Sequence, residues 1–117
     1  MTPSNARYII RPMIGEALKG HLDLLLLAIL SEGPAHGYAV IESLRARSAG
    51  VFDLAEGTIY PALHRLENQG LLHSQWSEVS PRRKRVYQLT PKGQEALKAH
   101  HDEWLKFSKA INTTVGI

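Results

Sequence analysis

The chain contains no cysteine, which excludes disulfide bonds and thiolate chemistry. Because disulfides mark oxidising compartments, their exclusion makes the reducing cytoplasm the expected location. A membrane-spanning helix needs ~20 apolar residues, and the longest apolar run, Leu24 to Leu30, is far shorter. The N-terminus does not combine cationic and apolar segments as an export signal does. We therefore expect neither a transmembrane segment nor a membrane partner.

An excess of one charge is also largely missing. Lys and Arg together number 14 and Asp and Glu number 11, a formal net charge of +3. So small an excess gives no general attraction for polyanions. An argument for nucleic-acid binding therefore depends on where the cations lie.

Signs of catalysis are missing too. The sequence has no glycine-rich phosphate loop, no nucleophile elbow and no clustered pair of carboxylates. His100 and His101 are adjacent on a predicted helix and diverge by ~100°, so they cannot share a metal as an i, i+4 pair could. An enzyme is poorly supported, and we predict no catalytic residue, no metal site and no cofactor.

The 117 residues have the length of one domain. Such a chain can bury a modest core, and a dimer interface could supply much of its stability. Residues 1–14 mix prolines with a few apolar side chains, a pattern that fits either an arm held by a partner or a frayed terminus.

Two helices are predicted next. Gly15 to Glu32 is apolar on nearly every side and ends before Gly33 and Pro34, so it requires cover on more than one side, from its own domain alone or together with a second subunit. The second helix runs from Tyr38 to about Ser48. Its linker to the following helix carries apolar residues that should be held against the core: Val51, Phe52 and Leu54.

The stretch from Glu56 to Gly70 is the segment that the rest of the chain is built to present. At helical spacing one side is apolar, with Ile59, Ala62, Leu63 and Leu66. The other side carries polar, planar and cationic groups: Thr58, Tyr60, Pro61, His64, Arg65, Asn68 and Gln69. A major-groove reading helix has this pattern, and so does an ordinary solvated helix. With the preceding helix it forms a helix-turn-helix candidate.

The sequence offers two possible N-terminal boundaries for this helix. Asp53 and Glu56 have capping-box spacing, which favours an early start, whereas Thr58 as the cap would place Pro61 in the first turn. We leave the boundary open by one turn.

A β-hairpin with a cationic tip follows. Residues 71–79 alternate in polarity, and so do residues 85–89, with the turn SPRRK between them. Four consecutive cations lie at the tip: Arg82, Arg83, Lys84 and Arg85. Such a run is often only solvated surface. Directly after a helix-turn-helix, however, it has the position of a wing that lies along the DNA backbone.

The last predicted helix begins at Thr90 and Pro91, a capping side chain followed by proline at the first position. Residues at heptad spacing form a seam suited to a dimer interface: Leu97, His100, Trp104, Phe107 and Ile111. We predict a dimerisation helix over residues 91–111 and a loose tail over residues 112–117. The predicted fold is mainly α with a small β-hairpin, a winged helix-turn-helix domain over residues 15–90 followed by the dimerisation helix.

With this order of elements, the chain resembles the PadR family of bacterial winged-helix transcriptional regulators. The resemblance runs from about Lys19 to Ser108 and is carried by LLLLAILSEGPAHGYAVIESL, LAEGTIYPALHRLENQGLL and VYQLTPKGQEAL. The length and the single C-terminal helix are similar to the smaller subgroup of that family. At Ala55 the chain departs from the serine-like cap common in relatives, a loss of ~1 kcal/mol unless Asp53 substitutes.

The resemblance implies a homodimeric repressor that binds double-stranded DNA at a near-palindromic operator. Carried over by position, the DNA-binding residues would be Tyr38, Thr58, Tyr60, Pro61, His64, Arg65, Arg82, Arg83, Lys84 and Arg85. Some members of the family are released from DNA by a small planar aromatic effector, which here would stack on Trp104, although ordinary interface packing is the simpler explanation of that residue. The alternative function is a winged-helix protein-interaction module that grips an acidic partner without sequence-specific DNA binding.

Overall fold

The computed structural model describes residues 15–78 and 84–116. Within these ranges the elements are α1 (Leu22–Leu30), β1 (Ala35–His36), α2 (Gly37–Arg47), α3 (Glu56–Asn68), β2 (Leu72–Trp76), β3 (Arg85–Leu89) and α4 (Pro91–Val115). The prediction of a mainly helical fold with a small β component is confirmed. The predicted arm over residues 1–14 lies outside the described residues.

The three strands form one antiparallel sheet in the order β1-β3-β2. The predicted hairpin is confirmed, with β2 and β3 paired from Leu72 opposite Leu89 to Trp76 opposite Arg85. The strand β1 pairs with the other edge of β3 and was not predicted. At two residues it is too short to show the alternation by which strands are recognised.

The first predicted helix is interrupted. Residues 15–19 are helical, a turn occupies Gly20 and His21, and α1 begins at Leu22. Glycine is a weaker helix former than any residue except proline, and no side chain caps the first turn of α1. The prediction of one continuous helix from Gly15 to Glu32 is therefore wrong.

The helix α3 begins at Glu56, between its two predicted starts, and its N-cap is Ala55 rather than Asp53 or Thr58. No side chain caps it, so the proposed substitution by Asp53 does not occur. Pro61 consequently lies inside the helix rather than in its first turn. Its missing N–H leaves the carbonyl of Gly57 without the intrahelical bond that it would otherwise accept.

A single core joins α1, α2, α3 and the sheet. Its members are Leu26, Leu27, Ile29, Leu30, Val40, Ile41, Leu44, Ile59, Ala62, Leu63, Leu66, Leu72 and Tyr87. All four residues predicted for the apolar side of α3 belong to it. From the α2–α3 linker, Phe52 and Leu54 pack against this core as predicted, but Val51 is exposed. The core thus fixes one side of α3 and leaves the other in solvent.

The helix α4 begins as predicted, with the Thr90 hydroxyl accepting a hydrogen bond from the Gly93 amide at 3.0 Å. It continues to Val115, where Gly116 ends it in a left-handed conformation. The predicted end at Ile111 and the loose tail are therefore wrong for residues 112–115, because this stretch contains neither glycine nor proline and the helix continues to Gly116. None of the helices in the described part of the chain is long and apolar enough to cross a membrane.

Candidate nucleic-acid interface

The outward side of α3 is a row of four residues, Gly57, Pro61, His64 and Asn68. They recur at spacings of four, three and four, all are exposed, and they lie opposite the four buried positions of the helix. Gly57 and Asn68 were not among the predicted site residues. The helical spacing that identifies the buried side also identifies them, so the signal was present in the sequence.

Tyr60 and Tyr38 lie beside this row, where α3 meets the start of α2. Tyr60 is half-buried, and its ring lies so close to Gly37 that a β-carbon there would be 2.4 Å from ring atom Cε1. Gly37 is thus needed for the approach of the two helices. Tyr38 is exposed at the first turn of α2. One turn further along α2, a hydrogen bond from Arg45 holds the pKa of Glu42 below its ordinary value.

Arg65 and Thr58 lie on the opposite edge of α3, next to α1. Arg65 donates two parallel hydrogen bonds to Asp23, from Nη2 to Oδ1 at 2.7 Å and from Nη1 to Oδ2 at 3.0 Å. These bonds raise the pKa of Arg65 above its already high ordinary value. Thr58 is exposed. Arg65 therefore faces α1, whereas His64, its neighbour in the sequence, lies in the outward row of α3.

The base of the predicted wing lies on the other side of α3. Lys84 is exposed, whereas Arg85 lies partly buried against β2 and α3. Its Nε donates to the Ser74 hydroxyl at 2.6 Å, and its guanidinium lies 5.2 Å from the centre of the Trp76 ring. Arg82 and Arg83 lie outside the described residues.

These elements enclose an open groove of about 420 Å³. It is lined by His36, Gly37, Tyr38, Tyr60, His64, Trp76, Lys84, Arg85 and Tyr87. Five of the predicted site residues, from α2, α3 and the hairpin, therefore meet at one surface. His36 and Trp76 were missed, because nothing in the local sequence indicates that their elements converge here. Planar rings beside cationic groups suit a nucleic-acid backbone and its bases.

The predicted dimer seam lies on α4, away from this groove. Leu97 packs against the core and His100 is half-buried, whereas Trp104, Phe107 and Ile111 are exposed. The ring of His21 meets Trp104 edge-on at 4.9 Å and Phe107 at 5.8 Å. The seam thus begins on the domain and continues as an apolar stripe without cover in a single chain.

A metal centre has no basis in the described ranges, where no group of three or more His, Asp or Glu side chains could hold an ion.

A helix-turn-helix followed by a hairpin with cations at its base defines a winged-helix DNA-binding protein. The model of the transcriptional regulator PadR-like family matches residues 26–99, and the chain belongs to that family. The prediction from resemblance is confirmed at the level of the family, and the subgroup stays a prediction. Family members are non-enzymatic, so this chain is a DNA-binding transcriptional regulator rather than an enzyme.

Individual relatives agree. A transcriptional regulator from Mycobacterium tuberculosis is 38% identical over 82 residues, which cover 70% of this chain and 74% of that protein. A PadR family transcriptional regulator from Eggerthella lenta has a crystal structure that superposes with a TM-score of 0.83 at 29% identity, over 96% of both chains. A transcriptional regulator from Clostridium thermocellum superposes with a TM-score of 0.78 at 31% identity, over 84% of this chain and 96% of that one.

Proposed function

We propose that the protein is a homodimeric repressor that binds a near-palindromic operator in the cytoplasm. Two copies of α3, related by a two-fold axis, would read half-sites ~34 Å apart in successive major grooves. The observation that carries the proposal is that one chain presents both a polar row on α3 and an unpaired apolar stripe on α4. Repression rather than activation is what the family resemblance implies.

Base reading is assigned to the outward row of α3. His64 and Asn68 are exposed near the middle and end of the helix, and an asparagine amide can bond both N6 and N7 of adenine. Pro61 and the Tyr60 ring would pack on thymine methyl groups. Thr58 would hydrogen bond to a phosphate at the start of the helix.

Contacts with the DNA backbone are assigned to residues on either side of the outward row of α3. Asp23 occupies two of the five guanidinium N–H donors of Arg65, and the others are available to a phosphate. Tyr38 and Lys84, both exposed at the groove, would contact phosphates on its two sides. Arg82 and Arg83 complete the proposed wing.

The experiment that tests this function is a gel shift at physiological salt with the DNA upstream of the chain's own gene. A repressor gives discrete, saturable shifts. Absence of any shift at micromolar protein would instead favour the protein-interaction module.

Replacing Arg82 and Arg83 with alanine is expected to weaken binding to operator and random DNA alike. Each phosphate that a cation neutralises releases counterions, so the slope of log affinity against log salt should fall by roughly 0.9 for every phosphate no longer neutralised. Titrations at several salt concentrations measure this slope. If the DNA affinity and its salt slope are unchanged in this variant, the wing does not contact DNA.

The matched control is the double substitution of Lys98 and Lys109 by alanine. Both lysines are exposed on α4, on the side away from the seam, so the same amount of positive charge is removed. The salt slope of this control should equal that of the wild type.

We also propose an effector site beside the seam. An apolar pocket of about 330 Å³ lies between the start of α1, the α2–α3 linker and α4, and Trp104 forms one wall. The other lining residues are Ala17, Leu18, His21, Leu24, Leu25, Val51 and Phe52. This volume and lining suit a small planar aromatic molecule stacked on the indole.

Trp104 fluorescence is expected to respond to such molecules. In a Trp76→Phe background Trp104 is the remaining tryptophan, so a stacked planar ligand should quench the emission saturably. The Trp104→Phe variant, which retains Trp76, should not respond. Emission unmoved by a broad panel of planar compounds would leave Trp104 with interface packing alone.

A further inference from the structure

A three-residue network joins α3 to both strands of the hairpin. Ser74, in the middle of β2, donates its hydroxyl hydrogen to the Glu67 carboxylate of α3. The same hydroxyl accepts from Arg85 Nε at 2.6 Å, and Arg85 Nη2 lies 3.9 Å from Glu67 Oε2. One serine oxygen therefore links a helical carboxylate to the first residue of β3.

This network is more constrained than an ordinary surface ion pair. Ser74 is only 7% exposed, and its hydroxyl is used as donor and acceptor at once. Hydrogen bonds to charged groups are about twice as strong as those between neutral groups, and partial burial strengthens them further. The Trp76 ring, directly opposite Arg85 across the strands, lies against the guanidinium and restricts its rotation.

The network lies where it can control the orientation of the hairpin relative to α3. Glu67 lies on the edge of α3 that faces the sheet, away from the outward row. Arg85 is the residue at which the chain enters β3 from the hairpin turn. A link between these two points fixes the angle at which the hairpin leaves the recognition helix.

We infer that Arg85 is a positioning residue, and that the Glu67–Ser74–Arg85 network sets the angle between α3 and the hairpin and thereby selects which flanking phosphates the wing contacts. The inference rests on the proposed function. It reassigns Arg85 from the row of wing cations to a link inside the protein.

The two roles of Arg85 give opposite expectations for Glu67. If Arg85 bound DNA, Glu67 would act only as a nearby negative charge, and Glu67→Ala would tighten binding. If the network positions the wing, Glu67→Ala weakens binding. Glu56→Ala is the matched control, because it removes an exposed carboxylate from the first turn of α3 without touching the network. It should leave affinity unchanged or raise it.

Two operator duplexes separate positioning from general destabilisation. One ends at the outer edges of the half-sites, and the other extends about one helical turn, ~10 base pairs, beyond each edge. We expect Glu67→Ala to weaken binding to the long duplex about tenfold, the effect of removing one charge-assisted hydrogen bond to a phosphate, and to leave the short duplex unaffected. Equal weakening on both duplexes, or tighter binding to either, overturns the inference.

Arg85→Lys provides an independent test that keeps the charge. A lysine can replace a phosphate contact as a point charge, but it cannot reproduce the Nε bond to Ser74 together with the planar contact on Trp76. We expect Arg85→Lys to bind the long duplex as weakly as Arg85→Ala, with hydroxyl-radical protection absent from the flanks only. Wild-type affinity and protection in Arg85→Lys would overturn the inference.

A third measurement needs no DNA. Because the chain has no native cysteine, Thr58→Cys and Lys84→Cys place spin labels on α3 and on the hairpin base alone. With the labelled chain diluted in excess unlabelled chain, so that a dimer carries one labelled copy, electron paramagnetic resonance should give one narrow intramolecular distance distribution, which Glu67→Ala broadens or shifts. An unchanged distribution overturns the inference. Failure of the wild type to bind DNA would instead overturn the proposed function, so the two failures can be told apart.

Discussion

Replacing Phe107 and Ile111 together with glutamate is expected to make the protein monomeric and to remove operator binding. The two side chains are 52% and 42% exposed in the single chain and lie on one stripe of α4. Burying four carboxylates against one another in the dimer would cost far more than the apolar contact contributes. Sedimentation or light scattering at micromolar concentration measures the change of mass directly.

The Phe107 and Ile111 substitutions should change the affinity for the operator more than they change the stability of the folded chain. Two linked half-site contacts exceed either alone by roughly 10²–10⁴-fold in affinity, so the affinity of a monomer for the full operator should fall by at least about 100-fold. The control is the pair Ala99→Glu and Thr113→Glu, which adds the same charge on exposed positions outside the stripe. If the Phe107 and Ile111 variant stays dimeric and retains its operator affinity, the dimer interface does not lie on this stripe of α4.

Gly93→Ala is expected to be the most destabilising single substitution proposed for this chain. Gly93 is buried in the first turn of α4, where an added β-carbon would lie 2.1 Å from the Leu71 carbonyl oxygen and 2.8 Å from Leu89 Cδ1. The oxygen belongs to the backbone and already accepts a hydrogen bond from Thr90 at 3.1 Å, so it cannot simply move away. We expect the free energy of unfolding to fall by about 3 kcal/mol, the upper end for overpacked sites, as measured by denaturant unfolding.

Gly57→Ala is the matched control for that substitution. Gly57 is also a helical glycine, but an added β-carbon would meet nothing within 4 Å. Alanine is the better helix former, so the free energy of unfolding should stay the same or rise by up to ~1 kcal/mol. If Gly93→Ala were as harmless as Gly57→Ala, the close packing of α4 on the α3–β2 turn would be wrong.

Local patterns in the sequence predicted the elements that carry the site. Apolar spacing of three and four residues indicated the buried side of α3, and alternation indicated both strands of the hairpin, because each is a property of a single segment. The Thr90-Pro91 pair likewise located the start of α4. The predictions failed where the outcome depends on residues that are distant in the sequence. The strand β1 forms by pairing with β3, and Val51 is exposed although it is apolar.

In the candidate site, too, local features could be predicted from the sequence and tertiary contacts could not. The outward row of α3 was available from helical spacing. The partner of Arg65 was not, because Asp23 lies 42 positions earlier and reaches it only when α1 packs beside α3. In the sequence, Arg85 is likewise just one of four consecutive cations. Only the folded sheet and helix bring its guanidinium to Ser74 and Glu67.

In the proposed dimer, the length of α4 would link the folding of this helix to the abundance of the protein. Beyond His101, every described residue of this helix except Ser108 is exposed, so its last 14 residues, 102–115, receive little support from their own domain. Isolated helices shorter than about 12–15 residues are only marginally formed in water. In dilute solution this end should fray, and it should become ordered as the concentration of the chain rises and pairing sets in. Gene control by such a protein would then have a threshold set by copy number.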